Sequence, residues 1–201
     1  VVASPLGSVP RHPWVPQEPC PKFLATIPGR HASCSLYERE KIASQIGLGA
    51  LVYSMLSVDN NKDIVFDINE ALSFDGRTGP YIQNAHVRAN SILKKAGSQT
   101  FQPDHLPTFN YDLTKNEIEL IEQISRFPQA VQQAAEEYRP LVMASYTYEL
   151  ANTFHSFYHA VNVMQTEDEN TRSARLRLVA AAKQTLANAL HLLDIQAPDV
   201  M

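Results

Sequence analysis

Phe74-Asp-Gly-Arg-Thr-Gly-Pro-Tyr-Ile-Gln-Asn-Ala-His-Val-Arg-Ala-Asn-Ser-Ile-Leu93 joins a tight turn, a helix start and a basic helix. Pro80 presets the backbone angle of a first helical turn, and Thr78 just before it can cap that turn. Apolar side chains then recur at helical spacing, which predicts a helix from Pro80 to Ala96 that Gly97 ends. The predicted buried stripe contains Tyr81, Ala85, Ala89, Ile92 and Ala96.

Positive charge is concentrated on this helix. From Gly76 to Gly97 there are two Arg, two Lys and no acidic residue. A local excess of positive charge at the beginning of a helix favours an anionic partner. The alternative is a basic flank that is simply solvated, which pattern alone makes the commoner case. The polar row beside the apolar stripe contains Asn84, Arg88, Ser91 and Lys95.

The composition of the whole chain limits its function classes. The 201 residues are 44% apolar with a net charge of −4, so nucleic-acid binding would depend on a local basic patch. The sequence contains no run of 18 apolar residues, so no membrane span is predicted. Cys20 and Cys34 predict two unpaired thiols in a reducing cytosol, and they are too few for a structural zinc site.

Helical patterning predicts an all-α helical bundle. Residues 1–34 hold seven of the 13 prolines, which predicts an extended or disordered segment. Residues 35–73 are predicted to form a connecting helix and a short helical turn, and residues 74–201 the main helical domain. Gly47 and Gly49 inside the first helix indicate close packing against another helix. The other predicted helices run from the capping box Thr114–Glu117 to Phe127, from Pro128 to Tyr138, from Pro140 through Met164, and from Thr171 to Leu193.

Several polar side chains have both structural and functional interpretations. His155 and His159 have the spacing of metal ligands, but the motif supplies no third ligand. The stronger interpretation is therefore that both are ordinary histidines, either packed in the core or exposed on the surface. Tyr158 lies one position off the apolar stripe of its helix, which favours a ligand contact such as base stacking. Arg172, Arg175 and Arg177 cluster at a helix start, where either the acids of 167–169 or an external anion would neutralise them.

Sequence motifs of catalysis are missing. There is no Gly-rich phosphate loop, no Gly-x-Ser-x-Gly and no zinc spacing, and neither His-x-Gly-His nor Lys-Met-Ser-Lys occurs. Besides anion binding, two other functions stay open. One is a helical module that binds a protein, which the acidic net charge favours, and the other is a metal-dependent enzyme using His155 and His159.

A family resemblance rests on the motif Gly-x-Thr-Gly-Pro-Tyr-x-Gln-x-Ala-His-x-Arg at 76–88. It is similar to the entry of the anticodon-binding domain of class I arginyl-tRNA synthetases. Ile46-Gly-Leu-Gly-Ala50 with Tyr53 resembles the helix that leaves the catalytic region, and 171–201 resembles the last helix and terminus. The chain departs from the family pattern at Asn84, usually Tyr, and at Asp199 and Val200, usually Glu and Arg.

The resemblance implies which residues contact RNA. By matching position, Tyr81, Arg88, Tyr158 and Met201 would meet anticodon bases or their backbone. Asn162 stands where some members have a second aromatic contact. Additional phosphate contacts are expected from Lys95, Arg172 and Arg175.

The resemblance also implies an activity for the full-length enzyme. That enzyme attaches arginine to its tRNA in the cytoplasm with ATP and Mg, and it would work as a monomer. We expect the present chain to bind arginine tRNA without catalysis and without a cofactor or membrane contact of its own. The catalytic half is expected to be absent from these residues and to be a partner where the protein is full length.

Overall fold

Helices account for the regular structure of the computed structural model, which describes residues 36–97 and 111–201 without any strand. This confirms the all-α prediction. The Pro-rich segment, both cysteines, the Ser35 cap and the 98–110 loop lie outside the described residues. The helices are α1 Leu36–Leu56, α2 Ile68–Ala71, α3 Gly79–Ala96, α4 Lys115–Ser125, α5 Phe127–Glu137, α6 Pro140–Ala160 and α7 Glu169–Leu192.

The start of α3 forms as its sequence predicts. Thr78 is extended and its hydroxyl accepts a hydrogen bond from the Tyr81 N–H at 3.2 Å, while donating to the Ser73 carbonyl at 2.6 Å. Pro80 occupies the first turn, and Gly97 ends the helix with a φ of 67°. Capping at one end and a glycine at the other therefore set the length of this helix.

Helices α1 and α3 approach each other at two glycines. A Cβ placed on Gly79 would lie 2.5 Å from the Gly49 carbonyl oxygen, and one on Gly49 would lie 2.7 Å from Nε2 of Gln83. The backbone clash at Gly79 cannot be relieved, so that position requires glycine, whereas a side chain at Gly49 would have to displace the buried amide of Gln83. The close packing predicted from the glycines of α1 is confirmed at Gly49.

The hydrophobic core lies where α3, α4, α6 and α7 meet. Leu176, Val179, Leu186 and Leu190 of α7 are buried, as are Leu150, Phe154 and Phe157 of α6. The prediction that α6 continues to Met164 is wrong. The helix ends at Ala160 because Val161 turns extended into the core, which leaves Met164 39% exposed.

A buried ion pair joins α4 to α7. Arg175 Nε donates to Oε1 of Glu117 at 2.8 Å, and the Glu117 side chain is inaccessible to solvent. Burial alone would raise the pKa of Glu117, but hydrogen bonds from Thr114, Arg175 and Tyr111 outweigh it and lower the pKa. The predicted capping box at Thr114 is present, and the Glu117 carboxylate that completes it is the one that pairs with Arg175.

This pair changes the interpretation of the arginine cluster. Arg172 lies 3.9 Å from Glu169, one of the adjacent acids predicted to neutralise it. Arg175 instead pairs with Glu117, which is 58 residues away in the sequence. The expected pairing of Arg175 with 167–169 is therefore corrected, because the side chain points into the bundle rather than along the helix surface.

We predict that Glu117→Gln destabilises the fold by roughly 2–4 kcal/mol, because it leaves the Arg175 charge buried without its counter-ion. The measurement is the free energy of unfolding in urea at neutral pH. Glu119→Gln is the matched control on the same helix, since its ion pair with Lys115 is exposed. We expect that control to change stability by less than about 0.5 kcal/mol. Equal effects from the two variants would contradict the assigned role of the buried pair.

Candidate functional site

A cleft of about 710 Å³ opens between α3 and α6. Residues 74–75, which precede α3, Ile46 of α1 and Met201 complete its lining. Its lining mixes aromatic, amide, histidine and arginine side chains. These are Ile46, Phe74, Asp75, Tyr81, Asn84, Arg88, Asn152, His155, Ser156, His159 and Met201.

Arg88 lies in this cleft and forms no ion pair with any described residue, although Asp75 also lines the cleft. Its Nη1 donates to Nδ1 of His155 at 3.4 Å, and its guanidinium carbon lies 5.3 Å from the centre of the Tyr158 ring. Within residues 36–97 and 111–201, no carboxylate lies within ion-pair distance of Arg88. A half-buried guanidinium with free donors attracts an anion or a hydrogen-bond acceptor.

His155 is neutral and has a defined tautomer. Arginine can only donate, so Nδ1 of His155 accepts from Arg88, and the proton on Nε2 faces the Tyr81 carbonyl at 3.5 Å. Burial, and then the Arg88 charge, lowers the pKa of His155 to about 4. The histidine therefore adds no charge at neutral pH and aims the guanidinium of Arg88 into the cleft.

Tyr81 presents an aromatic edge and a hydroxyl to the same cleft. Its ring centre lies 4.7 Å from that of His155 and 5.7 Å from that of Tyr148. Its hydroxyl donates to Oδ1 of Asn152 at 3.3 Å. These contacts leave the tyrosine half-buried and in one orientation, so an incoming planar group would meet a fixed ring.

The structure places the sequence-predicted site residues in three settings. Tyr81, Arg88 and Met201 line the cleft, and Tyr158 joins them through its contact with Arg88. Asn162 lies beyond the end of α6, exposed and bonded to Gln165 at 2.6 Å. The other three predicted residues lie outside the cleft lining, and they are Lys95, which is exposed, Arg172, which is half-buried, and Arg175, which is engaged by Glu117.

An external phosphate at Arg175 would compete with the buried carboxylate of Glu117 for the guanidinium. The side chain of Arg175 is only 16% exposed, and its Nη1 also donates to the Thr166 hydroxyl at 2.9 Å. Taking the counter-ion away from a buried arginine is strongly unfavourable. The geometry therefore disfavours the expected phosphate contact at Arg175.

Sequence reasoning missed three polar residues that support the site. Gln83, His86 and Asn90 lie on α3 beside the apolar stripe, and all three are buried. They hydrogen-bond the segment 196–199 that leads to Met201. Their spacing of three and four would have marked a second face of the helix, but the pattern alone does not say what covers it.

The two histidines of α6 do not form a metal site with a third residue. Within the described ranges, no group of three or more His, Cys, Asp or Glu side chains is arranged to hold a metal ion. His155 is used by Arg88 and the Tyr81 carbonyl instead. None of the described helices has the length and apolar character needed to cross a membrane.

Comparisons with known proteins agree on one family. The family model of the DALR anticodon binding domain matches residues 82–201. The arginine–tRNA ligase of Pyrococcus abyssi is 43% identical over 165 residues, covering 82% of this chain and 26% of the relative. The Clostridium botulinum arginine–tRNA ligase is 37% identical over 167 residues, covering 83% and 29%.

Solved structures give the same result. The arginyl-tRNA synthetase of Thermus thermophilus superposes with a TM-score of 0.80 at 38% identity, covering 90% of this chain and 30% of that one. The Plasmodium falciparum enzyme, at 23% identity and a TM-score of 0.71, supports the fold. The chain thus spans between a quarter and a third of the length of these relatives.

We predict that acid destabilises the fold in part through His155. Its pKa in the folded state is about 4, below the ordinary value near 6.5, so unfolding takes up a proton as the pH falls between these values. The stabilising contribution is complete above pH ~6.5 and is lost progressively toward pH ~4. When the pH is lowered from 7 to 4.5, the free energy of unfolding of the unmodified chain should fall by about 2 kcal/mol more than that of the His155→Gln variant.

Urea titrations at a series of pH values measure this difference. His86 also has a lowered pKa because of burial, but its contribution is common to both proteins and cancels. The control is His191→Gln, on the exposed surface of α7. Parallel stability curves for the unmodified chain and His155→Gln would show that His155 is not held neutral by the fold.

Proposed function

We propose that this chain, which belongs to the DALR anticodon binding domain family, binds the anticodon arm of an arginine tRNA. The observation that carries the proposal is the Arg88 guanidinium, which has no carboxylate partner among the described residues and lies between His155 and Tyr158. A chain with a net charge of −4 needs such a local site to attract RNA.

The chemistry of the cleft suits an unpaired nucleotide. Single-stranded RNA is recognised by stacking bases on aromatic rings and by hydrogen bonds to their exposed edges. Tyr81 lines the cleft beside His155, and Tyr158 lies against Arg88, which can donate to a base edge or to a phosphate. The cleft is open to solvent and large enough for one extruded base.

The proposed roles follow from position. Tyr81, Arg88, Tyr158 and Met201 contact anticodon bases or their backbone. Asn162, Lys95 and Arg172 lie outside the cleft lining and contact neighbouring parts of the RNA. Arg175 is removed from the phosphate contacts because Glu117 already neutralises it.

In the complete ligase this domain would hold the tRNA in the cytoplasm while another region activates arginine with ATP and Mg. The 201 residues contain none of the ATP-holding motifs of class I synthetases, and the described part offers no metal-binding cluster. ATP and Mg therefore do not fit the residues present here, and no reaction step is assigned to them. The unit that binds tRNA is proposed to be a monomer.

Catalysis by the isolated chain is tested by arginine-dependent exchange between ATP and pyrophosphate. We expect no exchange above background, because the sequence carries no site for ATP phosphates. The Thermus thermophilus arginyl-tRNA synthetase serves as the positive control. Exchange by the 201-residue chain that depends on arginine would contradict this part of the proposal.

An exposed apolar run supports the alternative of a protein-binding module. Ile64, Val65, Phe66 and Ile68 lie between α1 and α3, and Val65 is 96% exposed. Apolar groups clustered in this way mark contact surfaces for other proteins or domains. The alternative would hold in place of RNA binding if affinity for tRNA were absent or did not vary with salt.

We predict that Arg88→Ala and Tyr158→Ala each weaken binding of an arginine tRNA anticodon-arm hairpin by about 10-fold, the range for one charged or stacking contact. Arg88→Ala should also lower the slope of log affinity against log salt by about one. Fluorescence anisotropy with the labelled hairpin, from low to physiological salt, measures both quantities.

Matched controls separate the site from general charge and aromatic effects. Lys94→Ala removes a cation from α3 about 120° around the helix from Arg88. Tyr138→Ala removes an exposed ring just before α6, at the opposite end of that helix from Tyr158. Both should leave the affinity within about twofold. If Lys94→Ala and Arg88→Ala weakened binding equally, the proposed site would be wrong.

A further inference from the structure

We propose that Gln83, His86, Asn90 and Lys183 are positioning residues for RNA binding. They fix the path of residues 195–201 and thereby hold the Met201 side chain as one wall of the cleft. The inference rests on the proposed function, since it assigns a task to residues that do not themselves line the cleft. We refer to these four residues as the polar clamp.

Three side chains of the polar clamp donate hydrogen bonds to backbone carbonyls of the segment. Nε2 of Gln83 donates to the Gln196 carbonyl at 2.9 Å, and Nδ1 of His86 donates to the Pro198 carbonyl at 2.9 Å. Nδ2 of Asn90 donates to the Asp199 carbonyl at 2.8 Å. Three successive donors on α3 therefore bind three nearby carbonyls of the segment.

The orientation of Asn90 is set from α7. Nζ of Lys183 donates to Oδ1 of Asn90 at 2.8 Å. Because an ammonium can only donate, the amide oxygen must face Lys183 and the amide nitrogen must face the segment. Lys183 thus determines which end of the Asn90 amide meets Asp199.

Burial makes these contacts strong determinants of the path. Gln83, His86 and Asn90 are 0%, 3% and 4% exposed. A buried donor without an acceptor is unfavourable by about 1–3 kcal/mol, so each side chain favours the one backbone path that supplies a carbonyl. Gln83 also donates to the Gln45 carbonyl at 3.2 Å, which ties the segment to α1 as well as α3.

The clamped segment carries Met201 to the cleft. Met201 packs with Leu72 against Ile42, Ala43 and Ile46 of α1, and it lines the same cleft as Arg88. Buried Ile195 anchors the near end of the segment in the core. Releasing the clamp would leave that anchor in place but free Met201, which changes the shape of the cleft without unfolding the bundle.

The test combines the position of Met201 with RNA affinity in the 201-residue chain. The four methionines are labelled with ¹³C at the methyl group, and Met201 is assigned from the signal lost in Met201→Ala. In His86→Ala, we expect the Met201 methyl signal to move toward that of an exposed methionine while those of Met55, Met143 and Met164 stay. Affinity for the anticodon-arm hairpin should fall about 3- to 10-fold, the equivalent of one hydrogen bond.

A conservative variant and a double variant identify positioning as the cause. The amide nitrogen of asparagine lies where histidine has Nδ1, so His86→Asn should restore both the methyl signal and most of the affinity. Once Met201 is alanine, adding His86→Ala should weaken binding by less than about twofold, because the clamp acts through Met201. Ser91→Ala, an exposed change on the same helix, is the control for α3.

Each outcome decides the proposal. A Met201 signal that moves in His86→Ala without loss of affinity overturns it, and so do full additivity of the two substitutions and failure of His86→Asn to rescue. If His86→Ala does not fold, as circular dichroism would show, Asn90→Ala replaces it with the same expectations. A chain that binds no hairpin at all contradicts the proposed function instead, and the methyl signals then still report whether the clamp holds Met201.

Discussion

The contact between the backbones of Gly49 and Gly79 is the constraint on which the rest of the site depends. A side chain on Gly79 would clash with the Gly49 backbone and one on Gly49 with the buried Gln83 amide, so glycine at both positions lets α1 cross close to the start of α3. This crossing brings Ile46 to the cleft and aligns Gln83 with carbonyls of both α1 and the 195–201 segment. A wider separation would open the cleft and move the Gln45 carbonyl away from the amide of Gln83.

Helix α3 contacts a different environment on each of three faces. Ile82, Ala85 and Ala89 face the hydrophobic core, a row of buried polar groups binds the 195–201 segment, and Arg88 faces the cleft. A helix with 3.6 residues per turn can do this only when its side chains are small on the crowded faces. The alanines of this helix allow α6 and α7 to pack close while longer polar side chains reach out on either side.

Two half-buried arginines show how environment separates a structural role from a functional one. Arg175 meets the buried carboxylate of Glu117 and is neutralised within the bundle. Arg88 meets a neutral histidine, whose pKa is lowered to about 4, and an aromatic ring. The first arrangement satisfies the charge, whereas the second orients it and leaves it available, which is the electrostatic condition for attracting an anion.

The sequence by itself determined the helices and one wall of the site, because capping residues, prolines and apolar spacing act locally. It marked the start of α3 at Thr78, the polar row with Arg88 and the off-stripe position of Tyr158. Only the tertiary structure decided that Arg175 pairs with Glu117, that α6 ends at Ala160 and that Gln83, His86 and Asn90 bind a distant segment. These depend on which residues meet across 58 to 113 positions of sequence, where packing and burial rather than local propensity set the partner.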